Sequence, residues 1–214
     1  IINFTHSAIF TVGAYFTYAL IGAQFGINGL LAQSRLPFGL PFPLAVLLGA
    51  ILAGVVAVVV ERLAFRPLRL RNADPLLYLV SSLGIAIAIV NIIQYLVGAE
   101  IYTFPSTVLA GLPPAVNFGT PQAPVPVRTV QIVIFAISMV LLLLLTLWIN
   151  FTRTGKALRA VAEDQTTANL LGIDTDRLIL LTFFLSGILG GIAGALIGMS
   201  IGINGPYFGI MFGL

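Results

Sequence analysis

Six stretches of this chain contain no Asp, Glu, Lys or Arg: residues 1–34, 36–60, 75–99, 101–127, 129–152 and 178–214. A charged side chain at the centre of a bilayer costs about 2.5–3.5 kcal/mol even on the insertion scale, so a chain that crosses lipid clears its spans of charge. Soluble domains carry about 25% charged residues; here the share is 8%, against 59% hydrophobic. Most of the surface is therefore expected to face lipid. A membrane helix needs about 20 mostly apolar residues. Five segments qualify: Ile9–Ile27, Phe42–Val60, Leu76–Val97, Val130–Ile149 and Leu178–Ile203. The 101–127 window does not, because Pro105, Pro113, Pro114, Pro121, Pro124 and Pro126 each remove a backbone donor and oppose a helix. It reads as an extramembrane loop. The expected fold class is all-α: a polytopic integral membrane helix bundle, with residues 1–214 as one transmembrane domain of about five helices.

The charges that remain set the orientation. Arg62, Arg66, Arg69 and Arg71 lie between the second and third spans, and Arg153, Lys156, Arg159 and Arg177 between the fourth and fifth. The other two loops hold one Arg each, Arg35 and Arg128. By the positive-inside rule the first pair of loops is cytoplasmic and the second pair external. The chain then runs from a cytoplasmic start near Asn3 to an external end near Asn204. Its net charge of +3 is confined to loops and gives no reason to expect nucleic acid as a partner. The absence of cysteine removes disulfides, thiolate metal sites and thiol catalysis together.

Enzymatic motifs are missing. The single histidine, His6, forms no HExxH; there is no GxSxG; and no carboxylate lies within a span. Metal sites and catalytic residues are therefore not expected. Ion-coupled carriers bury an ionisable group at mid-membrane, and these spans hold none, which points to transport driven from elsewhere. The uncharged polar residues of the spans are Thr11, Thr17 and Tyr18 in the first, Ser81, Ser82, Asn91 and Gln94 in the third, and Ser186 in the fifth, with Asn3 and His6 just before the first. Asn3, His6, Ser81, Ser82, Asn91 and Gln94 are the candidates for a substrate path, and hydrogen bonding between helices is the alternative for each. In the last span Gly190, Gly194, Gly198 and Gly202 recur every four residues, with Gly187, Gly191 and Ala195 on an adjoining strip. Such spacing lets helix backbones approach closely in lipid. An internal packing face, a subunit interface and a substrate-lining groove all fit it.

The cytoplasmic loop 150–177 holds eight of the seventeen charged residues. It is not a nucleotide site: Lys156 follows Gly155, but Ala157 stands where the P-loop needs Ser or Thr, and Asn150 where it needs Gly. The stretch KALRAVAED is rich in helix formers, TTANLL extends or restarts the helix, and Gly172 suits its C-terminal end. Asp174 or Thr175 then suits the N-cap of the final span. A short helical excursion between two membrane helices is expected, resting either on a partner or at the headgroup level.

The loop TGKALRAVAEDQTTANLLGIDTDR, with INFTHSAIFTVGAY at 2–15, VERLAFRPLR at 60–69 and NGPYFGIMFGL at 204–214, resembles the branched-chain amino acid ABC transporter permeases of the Liv type. The resemblance covers essentially the whole chain. The family's first motif usually reads NFAHG; Thr5 and Ser7 replace its alanine and glycine here. The resemblance implies a longer permease, with a preceding membrane helix and further C-terminal spans. It also implies an importer of Leu, Ile or Val in the bacterial cytoplasmic (inner) membrane, with urea, short amides or sugars as alternative cargoes. A stand-alone channel or ion-coupled carrier is the reading from a different class. The implied partners are two cytoplasmic ATPase subunits, a second permease subunit and a periplasmic substrate-binding protein. ATP and magnesium would reside on the ATPases, with no cofactor on this chain. The loop looks like the coupling helix that docks on the ATPase, and Gly155, Ala157, Arg159, Ala160, Ala162, Asp164, Ala168, Leu171 and Gly172 match its pattern, with Glu163 agreeing in the nearest subgroup.

Overall fold

The computed structural model describes residues 3–71, 73–105, 113–120 and 123–212. It is mostly helical. Two compact units form: residues 1–110 with 183–214, and residues 111–182.

The first unit is organised around α1 (Thr5–Leu20). The helix expected over Ile9–Ile27 begins earlier and stops at Leu20, where Ile21 and Gly22 turn the chain, Gly22 at φ +74. At 16 residues α1 is about 24 Å long, short of the roughly 30 Å hydrocarbon layer. Among the described residues four helices are long and apolar enough to cross a membrane: Phe42–Leu70, Pro75–Val97, Thr129–Phe151 and Thr175–Ile201. The shortness of α1 follows from its position: twelve of its residues are buried, and protein rather than lipid surrounds them. Its composition suits that place. The hydroxyls of Ser7, Thr11 and Thr17 bond back to carbonyls of their own helix region, Ser7 Oγ to Phe4 O at 2.8 Å and Thr17 Oγ1 to Gly13 O at 2.9 Å, and Thr5 Oγ1 donates to Ser82 O at 3.2 Å. The Tyr15 hydroxyl is the exception, buried with no hydrogen-bond partner among the described residues.

Around α1 lie α2 (Phe42–Val60), α4 (Pro75–Val97), the later part of α8 (Thr175–Ile201) and the short α9 (Phe208–Phe212). The glycines of α8 make this possible. A Cβ on Gly191 would press on Ala50 and Ala53, one on Gly187 on Ala57 and Gly54, one on Gly190 on the His6 ring, and one on Gly194 on the Phe10 backbone. Gly187, Gly190, Gly191 and Gly194 thus face α1 and α2 within the unit, while Gly198 and Gly202 meet Phe104, Ile203 and Thr103. Gly13 of α1 answers them, since a Cβ there would overlap the Gly191 backbone.

At Glu61 the α2 helix widens into one π-turn, Glu61–Phe65, with Arg66 N bonded to Glu61 O, before α3 (Arg66–Leu70). Pro67 lacks the donor a regular turn would use, which accounts for a wider turn just before it. The extra residue has a consequence for charge. In an unbroken α-helix Arg69 would sit about 80° away from the face of Glu61; one additional residue reduces that to about 20°. Arg69 Nη1 reaches Glu61 Oε1 at 2.9 Å, pairing a carboxylate whose side chain is fully buried. Phe65, also buried, packs on Tyr78 and Phe183.

At the opposite end, β1 (Ile101–Tyr102) pairs antiparallel with β4 (Ile203–Asn204). Tyr102 donates to Val97 O at 2.7 Å and accepts from Gly26 N at 3.2 Å. Glu100 Oε1 accepts from Ile27 N, Asn28 N and Asn28 Nδ2, which ties down the loop after α1. Tyr15, Tyr18, Phe25 and Tyr102 close over this end as an aromatic cluster.

The second unit contains the hairpin β2 (Ala115–Thr120) and β3 (Ala123–Arg128), then α5 (Thr129–Phe151), α6 (Arg153–Glu163) and α7 (Gln165–Leu170). The strands add to the purely helical expectation. The proline-rich window cannot be helical, but a two-stranded hairpin has edges on both sides and accepts Pro124 and Pro126 in β3.

The Gly13 contact yields a direct expectation. Gly13→Leu should destabilise the bundle by about 3 kcal/mol, the upper range for overpacking, read as a lowered thermal unfolding midpoint in detergent. An unchanged midpoint would contradict the close approach of α1 and α8.

Candidate functional site

The loop 150–177 folds as two short helices with a sharp corner. Thr152 joins them to α5 with a single hydroxyl: its Oγ1 donates to Trp148 O at 2.7 Å and accepts from Gly155 N at 3.0 Å, so it both ends α5 and N-caps α6. Gly155 is buried in that elbow, where a Cβ would overlap the backbone of Ile149. The residue is required by space and not by conformation.

The helix restarts rather than extends. At Asp164 the backbone is extended, φ −149 and ψ 107, and α6 stops. Asp164 Oδ1 accepts from Thr166 N at 2.8 Å and Thr167 N at 3.2 Å, and Oδ2 accepts from the Thr167 hydroxyl. The carboxylate is the N-cap of α7. Those bonds, the Thr167 hydroxyl foremost and then the backbone N–H groups of Thr167 and Thr166, hold its pKa below the ordinary aspartate value. The end of α7 is equally defined. Gly172 at φ +83 donates to Asn169 O at 3.0 Å and Ile173 donates to Ala168 O at 3.1 Å, the paired bonds of a Schellman turn. Asn169 Oδ1 accepts from Thr175 Oγ1 at 2.8 Å, and Asp174 Oδ1 from Arg177 N at 3.1 Å, which makes Asp174 the N-cap of α8.

This geometry gathers Arg159, Ala160, Glu163, Asp164, Ala168 and Leu171, with Thr167, around one shallow concavity of about 480 Å³. The remaining residues of the expected coupling set lie elsewhere: Gly155 in the elbow, Ala157 beside Arg153 and Asp174 in a second concavity, Ala162 on the exposed surface of α6, Gly172 at the helix end. Leu170 and Leu171 are 83% and 75% exposed. Leu170 and Thr167 were not among the residues expected from sequence. Thr167 had a legible signal, since an Asp three residues before a Thr at a helix start is a capping arrangement; the exposure of Leu170 had none.

The candidate path residues do not converge. Ser82 is buried beside the start of α1, its Oγ accepting from Phe4 N at 3.3 Å and its carbonyl from Thr5 Oγ1 at 3.2 Å. Asn3 Oδ1 accepts from Thr5 N, and His6 Nδ1 is 3.2 Å from Ser186 Oγ. Asn3, His6 and Ser82 thus share one end of α1, while Ser81, one position before Ser82, is half-buried. Asn91 and Gln94 are exposed near the other end of α4. Among the described residues no three His, Cys, Asp or Glu side chains cluster as metal ligands.

A family model described as "Branched-chain amino acid transport system / permease component" matches residues 1–214. The chain is 33% identical over 219 residues to the high-affinity branched-chain amino acid transport system permease protein LivH of Escherichia coli K12 and 32% identical to LivH of Salmonella typhimurium, covering 100% of this chain and 66% of each relative. It is 31% identical over 187 residues to the corresponding permease protein BraD of Pseudomonas aeruginosa, covering 86% of this chain and 56% of that one. The chain thus spans just under two thirds of the length of the LivH relatives. No solved structure matches it.

The Asp164 cap has a pH signature. Its pKa is lowered in the folded state, so the stabilisation is complete above the unfolded aspartate value and is lost as pH falls through the lower, folded one. Amide exchange at Thr166 and Thr167 should stay protected on acidification to about pH 4 and open only below it. Asp164→Ala should remove that protection at neutral pH, and Asp164→Asn should keep most of it.

Proposed function

The chain belongs to the branched-chain amino acid transport permease family, and on that premise we propose that it is a membrane subunit of an ATP-binding cassette importer that moves Leu, Ile or Val across the bacterial cytoplasmic membrane. The observation that carries the reading is the cornered helix pair α6–α7, a short, doubly capped element between two long apolar helices of the sequence. Two cytoplasmic ATPase subunits supply the energy, a second permease subunit completes the membrane assembly, and a periplasmic binding protein delivers the cargo.

In this proposal the concavity lined by Arg159, Glu163, Asp164 and Leu171 receives the ATPase. A lever must be stiff to transmit displacement. Thr152, Asp164 and the Schellman turn at Gly172 each satisfy helix-end groups that would otherwise fray. The exposed Leu170 and Leu171 offer apolar contact, and Arg159 and Glu163 offer charge-assisted hydrogen bonds at its edge. Asp164 acts here by setting the corner, a role distinct from pairing with a partner's charge. Rotation of the ATPases would then tilt α5 and α8, which flank the pair in sequence, and alternating access follows as rigid-body motion.

Disruption of the gene should abolish uptake of labelled leucine while leaving urea uptake unchanged; intact leucine uptake in a strain without a redundant importer would refute the cargo. Gly155→Pro and Asp164→Lys should each lower leucine uptake and recovery of the ATPase with the permease by roughly tenfold or more, with membrane insertion retained. Survival of both activities would refute the coupling role.

A further inference from the structure

Three tyrosines meet where the second half of α1 packs beside β1. Tyr15 and Tyr18 both lie against the Tyr102 ring, with centroids 5.8 and 5.2 Å away. Two of the three hydroxyls are committed: that of Tyr18 donates to Gln24 O at 3.3 Å, and that of Tyr102 donates to Val97 O and accepts from Gly26 N. The Tyr15 hydroxyl has no partner among the described residues, although the residue is only 6% exposed. A buried hydroxyl without a hydrogen bond destabilises the state that contains it. Phenylalanine would fill the same space without that penalty, so packing does not account for the oxygen.

Tyr15 is enclosed by its own unit. It belongs to a buried cluster with Val12, Ile93, Val97, Tyr102 and Ile203. A resident water fits this place poorly, because a buried water needs about two to four polar partners, and the cluster offers apolar side chains and tyrosine hydroxyls that are already bonded.

The depth of the group follows from α1 and α4. Thr5 Oγ1 donates to Ser82 O, which sets the start of α1 level with Ser82. Tyr15 is then about 15 Å further along α1, and Val97, the last residue of α4, about 22 Å further along α4. Tyr15 thus lies within the length of a helix able to cross a membrane. At this level the backbone is broken: α8 ends at Ile201, and Gly202 and Gly205, at φ +83 and +74, lead the chain through β4 towards α9. A Cβ on Gly198 would meet both Ile203 and Ala14, which puts the break beside Tyr15. Irregular backbone at membrane depth is buried in protein or borders a water-filled cavity, and transporters bind cargo at such broken helices.

We infer that the Tyr15 hydroxyl is a cargo-binding group on the translocation path, shielded in this state by the Tyr18, Phe25 and Tyr102 rings, and that it donates to the carboxylate of a small apolar amino acid when those rings part. A hydroxyl bonded to a carboxylate is a strong, charge-assisted pair. The ring faces, Ile93 and Ile203 suit an apolar side chain. The inference rests on the reading of the chain as an amino acid importer subunit.

The complete transporter in proteoliposomes tests it. Tyr15→Phe should raise the thermal midpoint of the permease, since it removes a stranded group from the closed state. It should leave recovery of the ATPase with the permease unchanged and lower leucine uptake roughly tenfold, the loss of one hydrogen bond to a charged group. Normal uptake would overturn the inference. A lowered or unchanged midpoint would mean that the hydroxyl is satisfied in the closed state, and loss of the ATPase would assign the effect to assembly; either overturns it. The chain has no cysteine, so Tyr15→Cys reports access directly, read on this chain by peptide mass. A small water-soluble thiol reagent should modify it during ATP hydrolysis with the binding protein present and spare it at rest. No modification in either condition, or equal modification in both, would overturn the inference. If the wild-type transporter moves no leucine, the cargo reading fails by itself, and modification of Tyr15→Cys under ATP still decides whether the residue lies on the path.

Discussion

The contact between Gly13 and Gly191 is the one on which the first unit depends. Helices in lipid gain little from burying apolar surface against one another, so their association rests on close packing and hydrogen bonds. Glycine on both sides at the crossing lets α1 and α8 meet backbone to backbone, and Gly187 and Gly191 bring α2 to the same strip. Once α1 is enclosed, its length is no longer set by the bilayer. That is why the most buried of the unit's long helices is the shortest of them, and why it tolerates four Ser and Thr residues on surfaces that would be costly against lipid.

A second theme is how charge is handled at the membrane edge. Glu61 is buried, and its partner Arg69 reaches it only because the π-turn ahead of Pro67 rotates α3 by one residue. On the other side Glu100 is used as an acceptor for the backbone and side-chain donors of Ile27 and Asn28. In the loop 150–177 Asp164 and Asp174 cap helices. At least four of the seven acidic residues therefore have local structural work, and most of the basic ones remain on the surface, where the positive-inside bias acts.

Much of this was legible from the chain. Charge-free windows locate membrane helices because the bilayer penalises any charged residue regardless of packing, so α2 and α4 are readable one residue at a time. The helix formers in KALRAVAED and the glycine at 172 likewise act through local backbone physics. The boundaries of α1 were not legible: hydropathy marks Ile9–Ile27, but where the helix ends depends on the loop being anchored by Glu100 and Tyr102, more than seventy residues away. Which polar residues lie together in space was not legible for a related reason. Asn91 and Gln94 share a helical face with each other, and nothing local says that this face points away from Ser82, His6 and Asn3.

The sequence by itself determined that the chain is a multi-pass membrane protein, which orientation of its loops to expect, and that its polar loop lacks the P-loop residues for nucleotide binding. Each follows from the cost of placing a given residue type in lipid or from the chemistry a motif requires. The tertiary structure decided which glycines are contacts, that α1 is enclosed, that Asp164 caps α7 at the corner of the loop, and that Asn91 and Gln94 are exposed on α4. Those depend on distances between residues far apart in the chain, and a pattern of residue types holds no information about which two faces meet.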